Sequence, residues 1–574
     1  MAAPLRPLMI GHPRSTMLFR IIYLLVILLC ISPTLPGLIG VVFAAVGYLP
    51  VIGLNHASSA AFTALWHWPG ISDSILLTIL SGLVSTCGAA LLCFSVLQQF
   101  WLHCHWRRIE PLLAPLLAMP HVAFAIGFAF LFSPTGVIAR LVTQFGADLQ
   151  ASQTTWFIND PYAVGLTFAL ALKEMPFLVL MSIPVLQQLN LNHLHQTCAS
   201  MGYSQSQFWW KVVLPQWLVK MRFSLFAVLA YGVSVVDISI IVGPKSPPTL
   251  AVLVWQWFND PNIAMLPQAA AGALLLFAIL SLLMTAMWLG EKLLVTVNRQ
   301  WQFSGRFGIT LPGKSVFVSV ISLVSIMIPL LLLWSFAQRW RFPDLLPSQF
   351  TARFWLSQWN AFVPTLTDSL IIATISASLA VIMALIAQQY RVHHRWSLPG
   401  YIIVLPMLIP QLSLLLGLQV AALSISEQSY YLWVIWSHLF FAFPFVYLAL
   451  NGPWQSYDHH YSQISLSLGK SPLQTFFKVK LRILLPAVLY AWALGASVSL
   501  AQYLPTLMLG AGRISTVTTE AVALSSGYDR RISAIYALWQ AILPGLFFAL
   551  AILLGKRRRA NLVYPYSSQE TAKS

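Results

Sequence analysis

The chain has 574 residues, of which 58% are apolar (AVILMFWYC) and only 8% are charged, and its mean hydropathy is +0.76. Soluble chains carry about 25% charged residues, so this composition excludes an ordinary soluble enzyme and a disordered chain, and it points to the membrane. The balance of 32 Lys+Arg against 15 Asp+Glu gives +17, an excess that a membrane protein places in its cytoplasmic loops rather than on nucleic acid.

Spanning a bilayer takes about 20 mostly apolar residues. Twelve segments qualify in chain order: 18–45, 73–98, 111–133, 161–187, 222–243, 266–289, 316–337, 367–389, 400–424, 431–451, 483–505 and 533–555. Several contain proline, which helix bundles tolerate when neighbours satisfy the freed backbone groups. A cytoplasmic N-terminus puts Arg6, Arg14, Arg20, Arg107, Arg108, Lys211, Lys220, Arg222, Lys292, Arg299, Arg391, Arg395, Lys470, Lys478 and the run Lys556–Arg559 on the inside. The opposite side keeps fewer, among them Arg140, Lys245, Arg339, Arg530 and Arg531. Both termini are therefore expected in the cytoplasm. The basic N-terminus with its apolar run also mimics a signal peptide and reads as an uncleaved anchor. Five cysteines (Cys30, Cys87, Cys93, Cys104, Cys198) are too scattered for a disulfide framework.

The chain repeats itself. An offset of 267 pairs Gln196/Gln463, Gly202/Gly469, Ser204/Ser471, Gln207/Gln474, Lys211/Lys478, Val212/Val479 and Leu214/Leu481. Pro176-Phe177 recurs as Pro444-Phe445, Asp73-Ser74 as Asp368-Ser369, and Pro120 with Gly127 as Pro410 with Gly417. The common order along the chain carries the inference. Six spans separate each pair, so the expectation is an all-α polytopic membrane protein, a parallel 6+6 duplication with halves at 1–295 and 296–574.

The best-matched segments are two loops, 188–221 and 452–482, on the expected cytoplasmic side. Each holds a short helical stretch, a glycine break that a β-carbon would resist, and a second stretch with paired aromatics. Taken alone, such a loop also suits an interfacial helix on lipid headgroups. The pattern Glu-Ala-Ala-x3-Gly, with Leu-Pro about a dozen residues later, marks the cytoplasmic loop of permease subunits of binding-protein-dependent ABC importers. The chain resembles that family at Gly202 with Leu214-Pro215, and at Gly469 with Leu481. Two fused permease halves look like the ferric-iron and thiamine importers. The departures are Gln196 and Gln463 for the glutamate, Thr197-Cys198 and Ile464-Ser465 for the alanines, and Arg482 for the second proline. They put in doubt any salt contact made by the glutamate.

The resemblance implies a type I importer permease in the bacterial inner membrane. Each loop would couple to one of two copies of a cytoplasmic ATP-binding subunit, through Gln196, Gly202, Lys211, Leu214 and Pro215, and through Gln463, Gly469, Lys478 and Leu481. A periplasmic substrate-binding protein would deliver a small solute, thiamine-like or ferric-iron-like by resemblance. The permease would need no cofactor or metal and would do no bond-making chemistry. The competing reading is a 12-span ion-coupled secondary transporter, also a 6+6 duplication. The loop Trp101–Glu110 lacks the Gly-x3-Asp-Arg-type signature of its common major-facilitator form. A polytopic membrane enzyme would need a cluster of acids, histidines or ligands at one face.

Other residues carry weaker signals. Gly308-Ile-Thr-Leu-Pro-Gly-Lys-Ser315 matches the P-loop pattern, but a P-loop follows a strand and opens a helix of an α/β domain; here it reads as a basic linker. Asp237 falls in an expected span and is a pathway candidate, with Gln502 near the matching position. Lys173 and Glu174 are expected to pair locally or face the bundle interior. His103-Cys104-His105 resembles a metal cluster by residue type, yet i and i+2 on a helix point apart. His393-His394 and His459-His460 read as solvated, and Trp66 and Trp68 as interface anchors.

Overall fold

The computed structural model describes residues 13–563 apart from 51–52, 104–105, 107–118, 147–156, 298, 304–306, 395–398, 426–428 and 528. Among the described residues the chain is helical, save for a two-stranded antiparallel hairpin (Ala337–Arg339 with Gln349–Phe350) and one isolated bridge. Eleven helices are long and apolar enough to cross a membrane, and a shorter apolar helix, Gln411–Ala422, lies in the ninth expected segment.

The first span consists of α1 (Pro13–Cys30) and α2 (Thr34–Ala45), broken before Pro33. Then come α3 (Ile71–Phe100), α4 (His121–Phe132), α5 (Val164–Gln188), α6 (Leu191–Ser200), α7 (Gln205–Phe208), α8 (Leu214–Ser234), α9 (Asp237–Val242), α10 (Leu250–Phe258) and α11 (Met265–Lys292). The pattern returns as α12 (Gly313–Phe336), α13 (Arg353–His393), α14 (Gln411–Ile425), α15 (Tyr430–Gln455), α16 (His460–Ser467), α17 (Pro472–Thr475), α18 (Leu481–Leu500), α19 (Leu504–Leu509), α20 (Val517–Ser525) and α21 (Arg530–Val563).

Two differences from the expected segments have local causes. Residues 400–424 do not form one rod: Pro399, Pro406 and Pro410 cut the segment into a four-residue helix, a 3₁₀ turn and α14, because proline lacks a donor and clashes with the preceding turn. The expected span 222–243 ends early at Ser234, and Asp237 opens the new short helix α9. The same break recurs between α18 and α19.

α3, α5 and α8 pack on one another, and α13, α15 and α18 do the same. The first helix of each set crosses over. α2 lies on α14, while α12 lies on α3 and α4. Glycine permits the first crossing: a β-carbon on Gly417 would sit 1.7 Å from the carbonyl oxygen of Gly37, and one on Gly40 would sit 2.7 Å from that of Gly417. At Gly127 of α4, a β-carbon would sit 3.0 Å from Met327 of α12. The Gly127/Gly417 pair of the repeat thus marks equivalent crossings. A hydrophobic core runs through both sets, and a smaller one forms where α1 meets α13 and α15, with Tyr23 stacked on Tyr390 at 4.0 Å.

Candidate functional site

The two matched loops fold alike. α6 ends with Gly202 at φ +81°, and α16 with Gly469 at φ +78°. This left-handed geometry favours glycine. It lets the Tyr203 amide donate to Cys198 O (3.0 Å) and the Gly202 amide to Ala199 O (3.0 Å); Lys470 to Ser465 O (3.3 Å) and Gly469 to Leu466 O (3.0 Å) repeat the closure. These are Schellman pairs, which satisfy carbonyls left over at a helix end.

Next comes a capping box in each loop. The Ser204 amide donates to Gln207 Oε1 (2.9 Å) and the Gln207 amide to Ser204 Oγ (3.4 Å); Ser471 and Gln474 repeat the pair at 3.3 Å each way. A wide π-type turn follows, Trp209–Val213 and Phe476–Lys480, before α8 and α18 begin at Leu214 and Leu481. Each turn rotates the long helix against its short leader. Pro215 is the second residue of α8, directly after the π-type turn, where its missing N–H leaves a gap in the continuous helical run.

Both loops lie at one end of the bundle. α12 starts beside Gln99 of α3, close to the first loop, and ends at Phe336; α13 returns to Gln389, where Lys480 Nζ donates at 2.8 Å.

Gln196 and Gln463 are exposed, as are Gly202, Gly469 and Lys478. Lys211 is not. It is buried, its ammonium donates to the carbonyl of Trp301, and it lies 4.7 Å over that residue's ring. A direct contact from Lys211 to a partner is therefore corrected: its register mate Lys478 is solvent-facing, and the buried lysine of the second loop is Lys480, 4.1 Å over Trp454.

The cause is a strap. The segment joining α11 to α12 runs across the first loop. Trp210 Nε1 donates to Ile309 O (2.8 Å), Gln98 Nε2 donates to the same oxygen (3.0 Å), and the Leu311 amide donates to Gln98 Oε1 (2.9 Å). Phe307 meets the Trp210 ring edge-on at 5.8 Å. The second loop instead presents Tyr461, Ile464, Leu468, Leu473 and Phe477 exposed, against Met201 and Val219 in the first.

This strap contains the P-loop-like motif. Gly308 touches Gln207, and a β-carbon at Gly313 would sit 2.1 Å from Ser95 O. The glycines serve close packing against α3 and the first loop.

A second polar region lies deeper. His121 at the start of α4 lies 4.5 Å from the Tyr231 ring of α8, and neither His121 Nδ1 nor Tyr231 Oη has a hydrogen-bond partner among the described residues. Lys173 and Glu174 are buried next to each other. Asp237 opens α9 just past the break that ends α8, and Tyr503 stands at the matching break between α18 and α19. In the C-terminal set the equivalent place is held by neutral amides, Gln411 Nε2 donating to Gln502 Oε1 at 2.7 Å. His438 was not anticipated; its ring nitrogens bond Ser499 Oγ (2.7 Å) and Thr506 Oγ1 (2.8 Å).

The histidine pairs divide. His103-Cys104-His105 falls partly outside the described residues, and no three metal-type side chains cluster among those described. His394 is not simply solvated but stacks on Tyr390 at 4.1 Å. His460 is exposed beside Asp458 at 2.7 Å. Bonds from the His460 backbone and ring hold the Asp458 carboxyl below its usual range. His459 is exposed, and partial desolvation by its neighbours, followed by the Lys480 charge, pushes its pKa down. Trp66 is exposed, whereas Trp68 packs on Trp257 at 5.3 Å.

No family model matches the chain. It is 32% identical over 521 residues to the inner membrane ABC transporter permease protein YnjC of Escherichia coli K12, covering 89% of this chain and 95% of that one. The chain belongs to the ABC transporter permease family. A spermidine/putrescine transport system permease PotC homolog of Mycoplasma genitalium is 26% identical over 173 residues, 29% of this chain and 61% of that one. The thiamine transport system permease protein ThiP of Haemophilus influenzae is 23% identical over 198 residues, 33% and 36% of the two chains. As an ABC importer permease this all-α, multi-pass protein is a transport subunit.

Proposed function

We propose that the chain is the membrane conduit of an importer, built from halves at 1–295 and 296–574 in the bacterial inner membrane with both termini in the cytoplasm. Two copies of an ATP-binding subunit dock on the loops 188–221 and 452–482. A periplasmic binding protein delivers the solute at the opposite face. The recurrence of Schellman turn, capping box and π turn at an offset of 267 supports this reading most strongly. Each exposed short helix, α6 or α16, packs on the capped turn that runs into a spanning helix, His195 against Phe208 and Ser465 bonded to Thr475, so force on it passes through that turn to the helix. Gln196, Gly202 and Leu214, with Gln463, Gly469, Lys478 and Leu481, form the two docking elements, and Lys211 and the buried Pro215 brace the first from within. Two packings of the halves, biased by ATP at one face and by the delivery protein at the other, give alternating access.

Asp237, at the α8–α9 break, lines the pathway. Cargo of thiamine-like or ferric-iron-like kind remains the favoured class, and the resemblance to ThiP supports the former. The test is co-purification with candidate ATP-binding subunits, comparing wild type with Gly202→Asp plus Gly469→Asp. Binding by wild type and its loss in a folded variant support the reading. A folded wild type that binds no ATP-binding subunit overturns it and moves the weight to an ion-coupled carrier, to be assayed by proton- or sodium-driven uptake.

A further inference from the structure

At the end of the bundle away from the loops, a cavity of about 500 Å³ opens between the two sets of helices. Thr135 and Arg140 come from the segment after α4, Trp334 from the end of α12, Trp340 and Phe342 from the hairpin region, and Asp529, Arg530 and Arg531 from the start of α21. Three guanidinium groups thus meet in one aromatic-walled space.

Their partners differ. Arg140 is braced by backbone: Nε donates to Thr135 O (3.1 Å), and Nη1 donates to Arg341 O (2.7 Å) and to the Asp344 carbonyl. Its ring neighbour is Trp340 at 4.9 Å, and the Asp344 carboxylate offsets part of its charge. Arg531 Nε lies 3.7 Å from Asp529 Oδ1, and its guanidinium stacks on Phe354 at 4.7 Å. Arg530 has no carboxylate within ion-pair distance among the described residues. Its Nη2 donates to Thr135 Oγ1 at 2.8 Å, and its guanidinium lies 5.3 Å from Trp334 and 5.9 Å from Phe130.

A guanidinium has five N–H donors in a planar fork suited to carboxylate and phosphate. Holding such a charge part-buried without a paired counter-charge has a cost, and Asp529, a carboxylate of the same cavity, lies with Arg531 instead. Yet the structure aims this one into a cavity, pinned by a single hydroxyl and flanked by rings. We propose that Arg530 receives an oxyanion, a carboxylate or phosphate-type group entering from the face opposite the loops. Trp334 and Phe130 hold the fork flat, and Arg140 adds a second positive charge about the same space.

The site straddles the joint between the halves. The Arg530–Thr135 bond runs from the second half to the first, and the Arg140 bonds to Arg341 and Asp344 run back. An anion seated here touches both halves, so its occupancy depends on how far apart they stand. The anion has two possible sources, a free solute and an acidic side chain on a docked delivery protein.

The experiment uses the full chain purified in nanodiscs. One arm titrates inorganic phosphate calorimetrically without any ATP-binding subunit, and so is independent of the coupling reading. The second measures the affinity of a loaded delivery protein. Arg530→Gln is expected to lower affinity at least tenfold in one arm, and Arg530→Lys to lose less. Phosphate binding lost in Arg530→Gln identifies a free anion. A loss confined to the second arm identifies an acidic side chain. Thr135→Val, which removes only the aiming hydroxyl, serves if Arg530→Gln fails to fold and is expected to weaken the same arm about threefold. No change in either arm for a folded variant overturns the proposal.

Discussion

Gly308→Ala tests whether the strap fixes the first loop. A β-carbon there would sit 2.6 Å from the Gln207 amide nitrogen and 2.8 Å from both its Cα and Cγ. Two of these atoms are backbone inside a capping box, so no rotamer change relieves the overlap. Either the strap lifts or the box opens. Lifting strains the three hydrogen bonds that join Trp210, Gln98, Ile309 and Leu311, each worth about 0.5–1.5 kcal/mol net. Overpacking alone costs about 1–3 kcal/mol. A local destabilisation of about 2 kcal/mol follows, or roughly thirty-fold faster exchange of the strap amides at 1.4 kcal/mol per decade. Hydrogen exchange read by mass spectrometry over peptides covering 299–312 and 203–214 measures it. Gly290→Ala, with nothing within 4 Å of its added carbon, is the control and should leave both peptides unchanged. Unchanged protection in Gly308→Ala would show that the strap does not rest on Gln207 and would refute the account of why Lys211 is buried.

Gly417→Ala forces a carbon to within 1.7 Å of Gly37 O and should lower the thermal midpoint by more than Gly452→Ala, whose carbon meets nothing; equal midpoints would contradict the α2–α14 crossing. Ser471→Ala removes one side of the second capping box and should cost about 1 kcal/mol, seen as faster exchange in 468–478 with no effect on 201–211. His459 has a lowered pKa in the fold, so the unfolded chain binds the extra proton first. Its stabilising contribution is complete above the unfolded histidine value of about 6.5 and is lost as pH falls through the folded pKa. His459→Gln should flatten the drop in thermal midpoint between pH 7.5 and pH 5.5; an unchanged slope would rule His459 out.

Apolar runs announce spans because lipid imposes one requirement, internal satisfaction of every backbone donor and acceptor. The loops were legible for a similar reason: a left-handed glycine and a Ser-x-x-Gln box are local chemistry, complete within a dozen residues. The crossings of α2 and α12 were not, since helix partners are set by contacts hundreds of residues apart; Gly37 and Gly40 look ordinary in sequence, and Gly417 stood out only as the repeat mate of Gly127. Lys211 misled because its register mate suggested an equal role, while the strap that buries it lies outside the repeat. Arg140 and Arg530 were counted only as outer-loop charges. Their packing against Trp340, Trp334 and Phe130 depends on the joint between the sets.

The crossed first helices bear on how such a protein comes to exist as one polypeptide. A half made alone would leave the groove around Gly417, or the face of α4 around Gly127, without its occupant. Two separate chains would have to find each other before either could bury those surfaces, and a like-with-like dimer could satisfy the same crossing in the wrong composition. Covalent linkage turns that search into a first-order closure at high effective concentration and fixes a ratio of one unlike half to the other. The segments so joined are unlike, Asp237 standing at one helix break and Gln502, bonded to Gln411, at the other, so the genetic fusion keeps one of each in every molecule.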